Sequence, residues 1–430
     1  MHPSKEGNGM NKGKSAKIAA LAFALSALFA FAAAAQAKVQ LTLGSWRADD
    51  VAQMTKLLDA FTQTHPNISI KFDPTNPPDY NAALRLQLQS GIGPDLMYAR
   101  SYDTGVQLFK DGFFADVTDL SGLKKVYSDL ARAPWADESG KSFAVPFCAV
   151  SHGVYYNVDI FKKLGISVPK TWEDFLADCK KIQDAGITPV ANGLADQWDI
   201  NEVVMMNILP NFIGGPDGRL AYESGKVKFN DAKMVAAFQA MKELAAFCPK
   251  GFEALTYNDS NALFVNQKAA MYFDGSWTMA SFTDMKFDWS VFAPPPPKGK
   301  KGFVTFHPDS GIAMNPATKY PAECKAFLQW LYSDQAAAVV SNTIPTGFFP
   351  IASNAAKITD AHADAFLQMT KARPTDVRFV WPKLMSGKPS GYNLLQDGTI
   401  AVMTGKKSPQ DAADDLQNGL AQWYAPAAAK

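Results

Sequence analysis

The sequence predicts an α/β fold built in more than one unit, and three observations carry that reading. A length of 430 residues fits two or three domains. Hydrophobic residues make up 47% of the chain and charged ones only 19%, enough apolar surface for packed cores and too little charge for a disordered chain. The first segment past an N-terminal leader reads strand–helix–strand, the unit of a parallel sheet with helices packed on it.

The leader is residues 1–37. Lys5, Lys12, Lys14 and Lys17 form a positive start, Ile18 to Ala35 is apolar apart from Ser26, and Ala35-Gln36-Ala37 is an A-x-A cleavage signal. The pattern is that of a secretory signal peptide, with Lys38 the expected mature N-terminus and Met1 or Met10 the start. The alternative is an uncleaved anchor. Removing four Lys and one Glu leaves 38 basic and 40 acidic side chains, a net charge of −2. No basic field points to nucleic acid. Export permits disulfides, but Cys148, Cys179, Cys248 and Cys324 show no metal-ligand spacing. Cys179 with Cys248 is the favoured pair, against four buried thiols.

Each element follows in order. Val39–Leu43 alternates as a strand and runs into the loop Gly44-Ser45-Trp46-Arg47. Asp50–Thr64 places Met54, Leu57, Leu58 and Phe61 on one helical face, and Ile68–Phe72 alternates again. Tyr80–Gln89 is a helix stopped by Gly91 and Gly93-Pro94, and Asp95–Tyr98 is a short buried strand. Phe143–Phe147 and Val154–Tyr156 read as separate strands, followed by a helix over Asp159–Leu164 that ends at Gly165. Thr171 caps the next helix with Asp174 three residues on. Asp231–Phe247 and Pro321–Val340 are long helices, and the last 80 residues are helical with loops. Pro294–Pro297 must be stiff and extended, the best candidate for an inter-domain crossing.

Several chemistries lack their motifs. There is no phosphate loop, dinucleotide fingerprint, nucleophile elbow or H-E-x-x-H. His2, His65, His152, His307 and His362 are solitary, so neither a metal nor another cofactor is expected. Asp95 and Asp103 are the carboxylates a glycan-degrading enzyme would need, and such pairs arise by chance in an acid-rich chain.

Four groups of residues resemble a known family. Gly91-Ile92-Gly93-Pro94-Asp95-Leu96-Met97 is similar to its G-x-G-P-D segment, and Tyr155-Tyr156-Asn157-Val158-Asp159-Ile160-Phe161 with Pro169-Lys170-Thr171-Trp172 to its Y-Y-N-x-D and P-K-T-W stretch. Phe264 to Met271 with Gly275-Ser276-Trp277 resembles F-x-x-G-K-A-A-M … G-S-W, with Gln267 in place of the glycine. Phe327–Leu331 and Pro345-Thr346-Gly347-Phe348-Phe349-Pro350 match its late helix and turn. The family is the extracellular solute-binding proteins of ABC importers, in the sugar-binding group related to maltose-binding protein. The resemblance implies a two-lobed periplasmic-binding-protein fold with a hinge, each lobe a sheet flanked by helices. On that map the N-terminal lobe is 38–147 with 298–345 and the C-terminal lobe is 148–297 with 346–430.

Sugars stack on aromatic rings and hydrogen-bond planar polar groups. Trp46 and Arg47 follow the first strand, where open α/β sheets place ligands. Arg100, Ser101 and Tyr102 follow the strand Asp95–Tyr98, while Asp95 itself braces the loop. Trp277 is a stacking residue by resemblance. Asn192 and Trp198 lie in a Gly-rich loop that could equally be a structural turn. His152, His307 and Asp309 sit near the implied crossings, with Asp309 a two-oxygen acceptor for hydroxyls. Phe348 and Trp381 complete the candidates, and Trp172 is assigned to core. Tyr155-Tyr156 matches a ferric-ligand pair of related proteins but reads as core here. The resemblance implies a periplasmic, monomeric, non-enzymatic subunit that hands a sugar to membrane permease subunits driven by a separate ATPase. The alternatives are a glycerol-phosphate, polyamine or iron binder, and a secreted glycan-degrading enzyme.

Overall fold

The computed structural model describes residues 1–3, 38–282 and 284–428. The expected leader and its cleavage site lie almost wholly outside the described residues. Strand β1 (Val39–Ser45) pairs in parallel with β2 (Ile68–Pro74), and the helix Val51–Thr64 between them buries Met54, Leu57, Leu58 and Phe61. Each of those side chains contributes about 1.5–3 kcal/mol by leaving water. Strand β3 (Leu96–Arg100) pairs in parallel with the other edge of β1. The helix Trp172–Asp184 has the capping box foreseen at Thr171 and Asp174, each side chain accepting from the other's N–H.

Two expected strands are one. Strand β4 runs unbroken from Val145 to Asn157. Its middle, Cys148 to Gly153, is buried on both faces, so no polar alternation marks it as strand in the sequence. The expected helix Pro321–Val340 is two, Pro321–Leu331 and Ala337–Thr343, because Ser333 Oγ accepts from Ala336 N and breaks the run. Strands β5 (Thr188–Val190), β6 (Ala269–Gly275), β7 (Trp289–Phe292) and β8 (Val304–Met314) follow, with two-residue strands β9 (Phe349–Pro350) and β10 (Thr375–Asp376). Helices Ala361–Ala372, Gly391–Met403 and Pro409–Leu420 dominate the C-terminal segment.

The central sheet is ordered β2-β1-β3-β8-β4-β6-β5. Strand β4 changes partners midway: Val145 to Ser151 lie against β8, whereas His152 to Tyr156 lie against β6. β9 joins β4 at Cys148 and Ala149. The apolar packing divides along the same line. One cluster draws on Leu41–Val150 and Ile312–Phe348. The other draws on Val154–Phe292 and Phe379–Ala427, with a satellite around Tyr155 that takes in Phe349 and Phe366. The molecule is therefore two-lobed, and β4, β8 and the segment leading into β9 pass side by side between the lobes.

The proline run is not that passage. Pro296 O accepts from Trp172 N and Pro294 O from Arg373, both within the second set of elements. The residues just after it also stay there: Phe303 N donates to Asn211 and Thr305 Oγ1 to Met206 O. Cys179 and Cys248, the favoured pair, are free thiols, as are Cys148 and Cys324. Among the described residues, no helix is long and apolar enough to cross a membrane.

Candidate functional site

The site forms where β4 and β8 leave one lobe for the other. His152 begins the second half of β4 and His307 lies on β8, their rings 5.6 Å apart. Trp277 meets His152 edge-on at 5.3 Å, and Trp381 lies 5.7 Å from His307. Trp277 can fold back there because Gly275 has no side chain; a Cβ on it would sit 2.0 Å from the indole. Gly347, at φ +94°, brings the third crossing against Ser276, whose hydroxyl donates to the Gly347 carbonyl.

The charges were only partly foreseen. Arg378, buried, holds Glu202 Oε2 at 2.6 Å and lies over both Trp277 and Trp381, at 5.5 and 5.1 Å. Glu202 also accepts from Tyr392 Oη at 2.8 Å, and it stands on a π-helical turn, Ile200–Met205, that opens the next helix. The sequence signal for Arg378 was an arginine at the head of the apolar run Phe379-Val380-Trp381, since a buried charge needs a partner. Tyr257 and Asp274 were also missed. Asp274 is the last residue but one of the buried strand β6, and burial raises its carboxyl to about 7.

On the first-lobe side, Trp46 is wedged edge-on between Tyr80 and Tyr98 at 5.4 and 5.2 Å, and the Arg100 guanidinium covers its ring at 3.7 Å. Arg47 is ion-paired with Asp50 and lies 5.0 Å above Phe348. Asp309 is buried in the field of Arg100, Arg378 and Arg47; burial raises its carboxyl and those cations oppose the rise. Burial also lowers the Arg100 guanidinium. Both histidines are driven well below their usual range, by burial first and then by Arg378, so they are neutral at pH 7.

Neutral His307 has an assignable tautomer. Its Nδ1 is 2.8 Å from the Pro308 carbonyl, so Nδ1 carries the hydrogen and Nε2 is a bare acceptor. That Nε2, both ring nitrogens of His152, Arg378 Nε and Trp381 Nε1 are buried with no hydrogen-bond partner. Unpaired polar atoms are costly, so five in one neighbourhood mark a place where polar ligand groups would be stabilising.

Other candidates have partners within the fold. Asn192 has a structural job: its amide donates to Phe273 O and accepts from Phe273 N, both at 2.9 Å, which bolts its loop to β6. Ser101 Oγ donates to Pro308 O at 2.8 Å and braces β8. Tyr102, at φ +57°, reaches across and packs against the second lobe's core. Trp198 packs on Tyr257 at 4.9 Å, next to the site. Trp172 is core, its indole donating to Glu243. Tyr155 and Tyr156 point into different clusters, with Tyr155 Oη donating to Gly275 O, so the pair cannot converge on one ion. Among the described residues no group of metal-ligating side chains occurs.

Comparisons with known proteins bear on the fold and the family. A multiple sugar-binding protein of Streptococcus mutans is 25% identical over 353 residues, covering 80% of this chain and 82% of its own. A mannitol-binding protein of Pseudomonas aeruginosa is 23% identical over 96% of this chain and 98% of its own. Two solved structures share the fold. The bacterial solute receptor AcbH, described as preferring β-D-galactopyranose, superposes with a TM-score of 0.78 at 20% identity over 90% of this chain and 99% of its own. RafE in complex with raffinose gives 0.70 at 23% identity over 91% and 100%. The model of the bacterial extracellular solute-binding protein family matches residues 44–338, more than half of the sequence, and the chain belongs to that family.

Proposed function

We propose that the protein is the periplasmic carbohydrate-binding subunit of an ABC importer, which captures a neutral sugar between its lobes and delivers it to membrane permease subunits served by a separate ATPase. The observation that carries this reading is the group of buried, unpartnered donors and acceptors between Trp277 and Trp381. Sugar hydroxyls both donate and accept, and sugar C–H faces stack on rings. Charge balance favours a neutral ligand. Arg47 pairs with Asp50, Arg378 pairs with Glu202, and Asp309 lies in the field of Arg100. A glycerol-phosphate would want guanidinium groups without such partners.

On this reading the lobes are 38–147 with most of 298–345, and 148–297 with 346–430, the passage lying inside β4 and β8. Ligand would bridge the lobes and shift an open–closed equilibrium toward closed. The protein would act as a monomer, exported by its leader, and release its ligand unchanged. A thermal-shift panel of galactose, mannitol, raffinose and maltotriose tests the reading, because a ligand that binds only the folded state raises the melting point by mass action. A stabilising neutral sugar is the expected result. Stabilisation by sugar phosphates alone, or hydrolysis of an added oligosaccharide, would count against it.

A further inference from the structure

We propose that Tyr257 is a positioning residue for the two indoles Trp277 and Trp198, and that the buried carboxylate of Asp274 sets the direction of its hydrogen bond. The proposal rests on the sugar reading for its ligand, but its geometry stands alone. Trp277 Nε1 donates to Tyr257 Oη at 3.1 Å, and Tyr257 Oη donates to Asp274 Oδ2 at 2.8 Å. The other carboxylate oxygen accepts from Gly275 N at 2.7 Å. The ring of the same phenol lies 4.9 Å from Trp198, tilted by 45° to it. One side chain thus fixes an indole by its hydroxyl and a second by its ring.

Tyr257 is itself held. It is the first residue of the helix Tyr257–Val265, which Thr256 and Asp259 cap reciprocally. Its N–H donates to Asp196 Oδ2 at 2.7 Å, tying the helix start to the loop that carries Trp198. An indole has a single donor and no acceptor, so the phenol oxygen decides how the Trp277 ring is turned against His152. With Asp274 ionised, the phenol hydrogen goes to Oδ2 and its oxygen is free to accept from Trp277. With Asp274 protonated the polarity reverses. A proton on Oδ2 points at Tyr257 Oη and turns the phenol hydrogen toward the indole N–H, donor against donor. The ionisable groups around Asp274 are Tyr257, Tyr272, Tyr155 and Asp199, with Asp196 beside Asp199. None carries a positive charge, and burial leaves Asp274 titrating at about 7.

The test is tryptophan fluorescence of the ligand-free full chain across the neutral range, joined to calorimetric titration with the panel sugars above. The expected result is a fluorescence transition near pH 7 that vanishes in Asp274→Asn, Tyr257→Phe and Trp277→Phe and persists in Asp199→Asn. Tyr257→Phe keeps the ring packed on Trp198, and should weaken binding of whichever panel sugar the natural chain takes by roughly tenfold. Unchanged affinity together with unchanged fluorescence in Tyr257→Phe would overturn the proposal. A transition lost in Asp199→Asn but kept in Asp274→Asn would overturn the role given to Asp274. Asp274→Asn preserves shape and serves if Tyr257→Phe does not fold. If no sugar binds, the functional reading fails, while the fluorescence arm still decides the positioning role.

Discussion

The two walls of the site are built on different terms. On the first-lobe wall the ring, one arginine and a hydroxyl already have neighbours: Arg100 covers Trp46, Arg47 is held by Asp50, and Ser101 donates to the Pro308 carbonyl. On the second-lobe wall and the strands leading to it, His152, His307, Arg378 and Trp381 keep polar atoms with no partner. Hydrogen-bonding capacity is thus preformed on one side, and on the other a ring must first be uncovered.

The largest test of that contrast is Arg378→Met. It strands Glu202 without its cation, so urea unfolding should show a loss of about 3–5 kcal/mol, and sugar binding should disappear from calorimetry. A pair of tryptophan variants separates the walls next. Trp46→Ala should act mainly on stability, by about 3–5 kcal/mol, because its ring is packed in core. Trp277→Ala should act mainly on affinity, by roughly thirtyfold, as for a central anchor. Equal effects of both on affinity would erase the distinction. Arg100→Met should uncover the Trp46 face, seen as stronger quenching of its fluorescence by acrylamide.

Acid should weaken the second wall. His152 and His307 titrate below their ordinary value of 6.5 in the fold, so the unfolded chain binds more protons. Their contribution is complete above about pH 6.5 and is lost as pH falls. Asp274 and Asp199, held up at about 7, work the other way, since stability falls as pH rises from their ordinary values toward 7. The double variant His152→Gln/His307→Gln should therefore lose its acid-side destabilisation in denaturation curves taken below pH 6.5. The smallest effect is expected at Asn192. Asn192→Ala should cost about 1–3 kcal/mol of stability with affinity unchanged within about twofold.

The sequence made some of this legible and hid the rest for definable reasons. The helix Val51–Thr64 was readable because one face is dry and the other wet. The hinge strand β4 was not, because it is buried on both faces and carries no alternation. Trp277, His152 and His307 were singled out by motif and chain position, and the fold brings their rings together. Arg378, Glu202 and Tyr257 were missed, because their roles depend on partners distant in the chain: Arg378 and Glu202 lie 176 residues apart in sequence and 2.6 Å apart in space. The bonds of Asn192 to Phe273 were not legible, because a polar residue in a loop looks the same in sequence whether it serves a ligand or its own backbone.

The most direct test of the central claim is isothermal titration of the mature chain at neutral pH with the neutral sugars named above. The account predicts saturable one-to-one binding of at least one of them, with the sugar recovered intact and the affinity reduced in Trp277→Ala. Absence of binding across the neutral panel alongside tight binding of a sugar phosphate, or binding that Trp277→Ala leaves unchanged, would contradict it.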